Sequence, residues 1–210
     1  MWQFDDCWPG LSWSVVDYYG FPKPSYYYLN RAYAPLLASF KHAPGADLEL
    51  WMTNDRRSAA TDRITVRLGS FDGRTLWEET CEVVVPAVES MCVWRRLSPE
   101  LAAGAETYVA VRSAHGLFPA NRWFFGELKE LVRRPTAPEM TFSPVSPHEA
   151  RLQLRAPATS YVYFAHVTSP HESTRFSDNY VDLQPGETCE IAVTDPLHEL
   201  TADSLRLGWG

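Results

Sequence analysis

Cationic side chains are scarce in this 210-residue sequence: 19 Lys and Arg stand against 26 Asp and Glu, a net charge of −7. A nucleic-acid surface needs Lys and Arg clustered against phosphates, and here the arginines are scattered along alternating segments, so no nucleic-acid partner is expected. Long apolar runs are missing too. Nothing approaches the roughly 18 residues of a membrane span, and no basic region followed by an apolar core opens the chain, so neither anchor nor signal peptide is expected. Cysteine is sparse: Cys7, Cys81, Cys92 and Cys189 form no CxxC and no metal-ligand rhythm. The simplest reading is reduced, mostly buried thiols in a cytoplasmic protein, with a Cys81–Cys92 bridge left open by the spacing. The six histidines, at 42, 115, 148, 166, 171 and 198, make no HxH or HExxH pattern, which argues against zinc. GxSxG, phosphate-loop and GxGxxG motifs are absent as well, so nucleophile-elbow hydrolase, nucleotide and dinucleotide readings have no support and no cofactor is expected.

Aromatic residues, by contrast, are abundant and unevenly placed. Residues 1 to 40 hold 12 of the 28 Phe, Trp and Tyr, and the other 170 residues share 16. Such rings each bury a large area and are rarely left clustered in water. Forty residues cannot enclose twelve of them, so this segment is expected to pack on something larger, either the sandwich that follows or a second copy of the chain through residues 1–41. Within it, Trp2 to Asp6 reads as a short strand, Pro9-Gly10 as a turn, and "PKPSYYYLNRAYAP" as a helix with Pro24 in its first turn and Pro35 at its end.

From about Ala46 the texture changes to period-two alternation, as in "DLELWMTN" and "ITVRLGSF". Further strands are read at "RTLWEETCEVVV", after the Asp72-Gly73 turn, and at "MCVWRRL", "TYVAVRS" and "RWFFGELKELV". "RRPTAPE" reads as a short stiff linker. Beyond it, "ARLQLRA", "SYVYFAHV", "TCEIAVT" and "SLRLGWG" are the strands of a smaller module, with Pro185-Gly186 as a turn and no helix. The expected class is mainly β: two immunoglobulin-like antiparallel sandwiches at 42–134 and 135–210, preceded by a strand-loop-helix segment at 1–41.

Among residues that could carry chemistry, Asp5 and Asp6 stand side by side. Neighbouring side chains on a strand face opposite ways, so at most one of them reaches a site, and the bland reading of each is a hydrogen-bonded Asp that orients a loop. Trp2 and Trp13 suit ligand contact better than catalysis, since a flat apolar ring stacks on the C–H face of a sugar. The tetrapeptide Ser-Pro-His-Glu occurs twice, at Ser146–Glu149 and Ser169–Glu172, and reads as a turn starter between strands rather than a metal pair.

Three stretches carry a family pattern. "WQFDDCWPGLSWSVVDYYGFPKPSYYYLNRAYAPLLAS" resembles the segment of β-mannosidase-like enzymes of glycoside hydrolase family 2 that runs through the last strand and helix of their catalytic (β/α)8 barrel. "FSDNYVDLQPGETCEIAV" resembles the signature of the immunoglobulin-like domain that ends those enzymes, and "LWMTND" a stretch near the start of the sandwich between them. The family commonly has Asn-Asp where this chain has Asp5-Asp6. The resemblance implies that Trp2 lines the pocket for the terminal sugar, with Asp5 or Asp6 and Trp8 supporting the loop beside it. It also implies a β-linked sugar as substrate of the parent enzyme, a retaining exo-glycosidase with two glutamates about 5 Å apart. No Glu precedes Glu49, so that pair is expected upstream, residues 1–41 are expected to be the end of the barrel, and the chain is expected to be non-catalytic alone. The alternative is a free-standing carbohydrate-binding protein that presents Trp51, Trp77, Trp94, Tyr161 or Tyr163 to sugar.

Overall fold

The period-two segments become two separate stacks of strands. The computed structural model describes residues 2–101 and 103–210, and the chain divides into one compact unit of Arg31–Arg133 and another made of Arg134–Gly210 with the segment up to Asn30. Among the described residues no helix is long and apolar enough to cross a membrane, and the four cysteines are free thiols.

The Arg31–Arg133 unit holds β1 (Leu36–Lys41), β2 (Leu48–Asn54), β3 (Ala60–Ser70), β4 (Thr75–Val85), β5 (Glu89–Arg96), β6 (Thr107–Ser113) and β7 (Asn121–Phe124). They form two antiparallel sheets, ordered β1-β2-β5 and β4-β3-β6-β7. Alternation sends Leu48, Leu50 and Met52 from one sheet and Ile64, Val66 and Leu68 from the other into one buried core, where each such side chain contributes roughly 1.5–3 kcal/mol. The opposite face of β3 carries the scattered arginines, and β4 answers them with Arg63–Glu82 at 2.6 Å and Arg67–Glu78 at 2.5 Å. Exposed pairs of this kind are worth about 1 kcal/mol or less each; they also keep β4, an edge strand, charged. β1 was not anticipated. The sequence reading placed residues 1–41 before the sandwich, whereas Leu36–Lys41 pairs along its whole length with β2 and gives Leu36, Ala38 and Phe40 to the core.

The second unit contains the helix α1 (Pro24–Ala32), whose first residue is the expected proline. Its strands are β8 (Glu139–Ser146), β9 (Glu149–Arg155), β10 (Val162–Thr168), β11 (Arg175–Phe176), β12 (Val181–Leu183), β13 (Thr188–Thr194) and β14 (Arg206–Gly208). The sheets are ordered β12-β10-β14 and β11-β13-β9-β8 around Leu152, Leu154, Val162, Val167, Ile191 and Val193. β9, β10, β13 and β14 are the four expected strands. β8, β11 and β12 are additional, the last two being too short for an alternation to register. The Pro185-Gly186 turn has Gly186 at φ +75°, as the third residue of a type II turn requires.

Each unit closes a gap in its ladders with a buried asparagine. Asn54 donates to the carbonyls of Ser58 (3.0 Å), Val85 (3.1 Å) and Pro86 (2.9 Å) and accepts from the Arg56 N–H (3.0 Å). Asn179 accepts from the Val167 N–H and donates to the Val167 carbonyl, both at 2.8 Å, as a neighbouring strand residue would. Asp195, just after β13 and fully buried, gathers three loops. Its carboxylate accepts from Ser173 Oγ (2.7 Å), Thr174 Oγ1 (2.8 Å) and the backbone N–H of Leu197 (2.9 Å) and His198 (3.0 Å). Burial pushes this carboxyl up, but the donors from Ser173, Leu197, Thr174 and His198 outweigh it and hold the group well below the usual carboxylate range.

Replacing Asn179 by Ala leaves the Val167 N–H and carbonyl buried without partners and should lower stability by about 2–4 kcal/mol, read as a drop in the urea midpoint. Asn54→Ala should behave alike in its own unit. Because the Asp195 pKa is depressed on folding, its contribution is complete above the unfolded value of about 3.9 and is lost as pH falls through the folded value. Urea titrations between about pH 5 and pH 2 should therefore show a steeper loss of stability in the wild type than in Asp195→Asn; equal slopes would remove this role.

Candidate functional site

The leading segment is anchored by aromatic packing on the last sheet. Phe164 and Tyr180 both sit in the left-handed backbone region, at φ 54° and 53°, which is costly for bulky side chains. Asp182 Oδ1 accepts the Phe164 N–H at 2.9 Å, and Asn179 Oδ1 accepts that of Tyr180 at 3.1 Å. The two rings lie 5.0 Å apart, and Tyr180 stacks on His166 at 5.0 Å and 13°. Onto this platform α1 sets Tyr27, 5.8 Å from Tyr180, and Tyr28, 6.2 Å from Phe164 and nearly parallel to it. Burial first, and then the neighbouring Tyr180, pushes the Tyr27 hydroxyl up to about 12. Ring density alone sends this segment to the following sandwich or to a second copy of the chain; within the chain it packs in the unit of Arg134–Gly210, because Phe164 and Tyr180 supply an aromatic receptor there.

Upstream of α1 the chain makes three short extended passes. The Val16 N–H donates to the Phe4 carbonyl (2.9 Å), that of Asp6 to Val16 (3.2 Å) and that of Lys23 to Val15 (2.8 Å). Asp5–Val16 and Val16–Pro22 are isolated bridges. The strand expected over Trp2–Asp6 therefore shrinks to one bridge at Asp5, since no longer ladder is present to extend it. Asp17 Oδ1 closes the turn after the second pass by accepting from the N–H groups of Tyr19 (2.9 Å) and Phe21 (2.8 Å).

Alternation separates the two adjacent aspartates as the sequence requires. Asp5 is exposed and Asp6 is buried. Asp6 accepts from Ser12 Oγ and from Lys23 Nζ (2.9 Å), and Lys23 also donates to Ser14 Oγ at 2.6 Å. The Ser12 hydroxyl and then the Lys23 ammonium hold the Asp6 carboxyl below the usual range. This cluster ties both ends of the loop 7–11 to the last pass. On and beside that loop, Trp2 is 84% exposed, Trp8 70% and Trp13 83%. Of the four residues singled out beforehand, Trp2, Asp5 and Trp8 thus face outward, and Asp6 is their internal support. Sequence reasoning missed Lys23, Ser12 and Ser14. A signal existed, for Lys23 is the sole Lys or Arg among residues 1–30, against three aspartates. The outward rings offer flat apolar faces and Asp5 a carboxylate, which suits holding a hydroxylated ring rather than breaking its bonds.

The aromatic platforms of the alternative reading have intramolecular partners. Lys41 lies over Trp51 at 5.7 Å and Glu49 accepts its indole N–H at 2.8 Å. Arg96 covers Trp77 at 4.2 Å, Trp77 leans on Trp94 at 5.7 Å, and Glu79 accepts the Trp94 N–H at 2.7 Å. Tyr161 is buried with its hydroxyl donating to Asp182, and Tyr163 stacks on Phe164.

Residues 46–130 match the family described as the mannosidase Ig/CBM-like domain. β-Mannosidase B of Aspergillus niger is 34% identical over 37% of this chain and 11% of its own length. β-Mannosidase B of Emericella nidulans is 26% identical over 89% of this chain and 24% of its own. In fold, the chain is similar over 99% of its length to a quarter of the crystal structure of β-D-mannosidase from Dictyoglomus thermophilum, with a TM-score of 0.83 and 22% identity. It is also similar to 29% of the exo-chitosanase of Amycolatopsis orientalis, with a TM-score of 0.67 and 15% identity. The resemblance carried by the three sequence stretches is thus matched by family, relatives and architecture, and the chain spans about a quarter or less of the length of those relatives.

Lys23→Met should leave the Asp6 carboxylate without its cation and release the loop. Amide hydrogen exchange in residues 3–16 should accelerate several-fold while α1 keeps its protection; unchanged exchange there would show that the pair does not hold the loop.

Proposed function

We propose, from its similarity to β-mannosidases, that the chain is the C-terminal accessory portion of a retaining exo-glycosidase that removes terminal β-D-mannosyl residues. In this reading residues 2–32 complete the catalytic barrel, and the two sandwiches brace it. The observation that carries the proposal is the set of exposed rings at Trp2, Trp8 and Trp13 on a segment pinned by a partly buried ion pair. A chain does not hold large apolar rings in water on a fixed frame unless another body covers them. Strand ends of a β/α barrel carry its chemistry, each strand giving different residues. Trp2 then stacks on the terminal sugar, Asp5 accepts from a sugar hydroxyl or from the loop, and Trp8 closes the rim. The acid/base and nucleophilic glutamates of the retaining mechanism come from the preceding part of the parent. With neither carboxylate at the Trp2 face, the isolated chain has no means of forming a glycosyl-enzyme bond.

The test is a fusion in which this chain replaces the corresponding C-terminal quarter of the Emericella nidulans enzyme. The fusion should hydrolyse p-nitrophenyl β-D-mannopyranoside and the isolated chain should not. Trp2→Ala in the fusion should lower kcat/KM by about tenfold or more, with a smaller loss for Trp8→Ala. Hydrolysis by the chain alone, or a Trp2→Ala fusion with unchanged kcat/KM, would overturn the proposal.

A further inference from the structure

Asp195 stands directly before Pro196, and the sequence has no other Asp-Pro pair. The pair is chemically distinctive. A proline nitrogen is a tertiary amide with no hydrogen of its own, more basic than an ordinary peptide nitrogen, so it leaves more readily once protonated. An aspartate side chain, in turn, is long enough to reach its own carbonyl carbon. The chain is held on both sides of this bond. The Asp195 N–H donates to the His148 carbonyl (3.0 Å) and the Leu200 N–H to the Pro147 carbonyl (2.8 Å). Both copies of Ser-Pro-His-Glu make the same turn beside it, the His148 N–H donating to Ser146 Oγ (3.2 Å) and the His171 N–H to Ser169 Oγ (3.1 Å).

The Asp195 carboxylate is folded forward over the bond. Its Oδ1 accepts from the N–H groups of Leu197 (2.9 Å) and His198 (3.0 Å), which closes a ring that contains the Asp195–Pro196 peptide. Ser173 Oγ donates to the same oxygen at 2.7 Å. Oδ2 accepts from Thr174 Oγ1 (2.8 Å) and from no other donor among the described residues, so it keeps a lone pair for attack. The Asp195 carbonyl oxygen lies 2.9 Å from His148 Nδ1, which is also 3.1 Å from the His198 carbonyl. Two acceptors there require a proton on Nδ1, and that N–H is aimed at the oxygen that turns negative when the Asp195 carbonyl carbon becomes tetrahedral. Pro196 is exposed. With Asp195 it lines a cleft of about 460 Å³, which gives solvent access to the leaving nitrogen. The titratable and charged groups around Asp195 are His148 and Glu149 at the start of β9, Arg175 at the start of β11, and His198, on which the His171 ring stacks at 3.9 Å. Burial opposes ionisation of Asp195, but the Ser173, Leu197, Thr174 and His198 donors keep it a carboxylate below the usual range, where solvent acid becomes strong enough to protonate a proline nitrogen.

We propose that Asp195–Pro196 is an acid-triggered self-cleavage site, with Asp195 Oδ2 as nucleophile and the His148 Nδ1–H as oxyanion donor. Oδ2 bonds to the Asp195 carbonyl carbon, the bond from that carbon to the Pro196 nitrogen breaks, and the nitrogen departs as an amine carrying a proton from solvent acid. Water then opens the cyclic anhydride left on Asp195, giving a chain that ends at Asp195 and a new N-terminus at Pro196. At neutral pH that proton is scarce and the bond persists. The segment cut away supplies Leu200 and Leu205 to the core, and its β14 pairs with β10 from His166 to Thr168, so cleavage loosens one flank of the strand that bears Phe164. The test incubates the 210-residue chain at the lowest pH at which its circular dichroism stays native and follows its intact mass. Fragments 1–195 and 196–210 should accumulate, about tenfold faster for each unit fall in pH and about tenfold or more faster than in the urea-unfolded chain at the same pH. Hydroxylamine should divert the first fragment to a hydroxamate at Asp195. Asp195→Asn should abolish cleavage, and His148→Leu should slow it by about tenfold. A folded chain that stays whole, an unfolded chain that cleaves as fast, or a natively folded His148→Leu that cleaves at the wild-type rate would each overturn the site. The comparison of folded with unfolded wild type decides the question even where a variant fails to fold.

Discussion

The stacking of two tyrosines from α1 on a pair of aromatic residues held in left-handed backbone is the contact on which the leading segment depends. Phe164 and Tyr180 each forgo about 1–2 kcal/mol by adopting that conformation. The return comes from several sources. A carboxylate accepts the Phe164 N–H, ring pairs add roughly 0.5–1.5 kcal/mol each, and Tyr27 is buried almost completely. Residues 2–23 have only isolated bridges of their own, too little to hold a fold. Their position is therefore inherited from α1, and that of α1 from the Phe164–Tyr180 platform.

Rigid presentation of exposed rings follows from this arrangement. Asp6 and Lys23 fix the loop from below, while Trp2, Trp8 and Trp13 remain in water. A flexible segment could collapse its rings on one another, but one tied at Asp6, Ser12, Ser14 and Lys23 cannot. The cost of hydrating those rings is thus retained in this chain, and the same area becomes available to whatever body covers them. Preorganisation of this kind lowers the ordering cost of association.

Much of the β-architecture could be read from the sequence because half-buried strands alternate strictly, as Leu48, Leu50 and Met52 do. Where alternation was short or interrupted, legibility failed. β11 has two residues and β12 three, and β1 stood in a stretch whose aromatic content pointed elsewhere. The adjacent aspartates were correctly expected to face opposite ways, which is a property of extended backbone and needs no tertiary information. The partners of Asp6 were not legible, since Lys23 lies 17 residues away and reaches it only through the three passes. The two Ser-Pro-His-Glu copies were rightly read as turns. Their convergence on Asp195 depends on sheet order, which places the ends of β8, β10 and β13 at one set of loops, and no local pattern encodes that.

Folds similar to this one at 22% and 15% identity show that the architecture accepts widely different sequences. The strands here need only alternate apolar residues to fill their cores, a demand that many sequences meet. Loop residues face a narrower one. Asp195 must keep its carboxylate hydrogen-bonded to Ser173, Thr174, Leu197 and His198, or the loops bearing Ser173 and His198 lose their common anchor. One buried group therefore fixes the arrangement of several loop groups, so those loops are less free to drift in sequence than the strands they join.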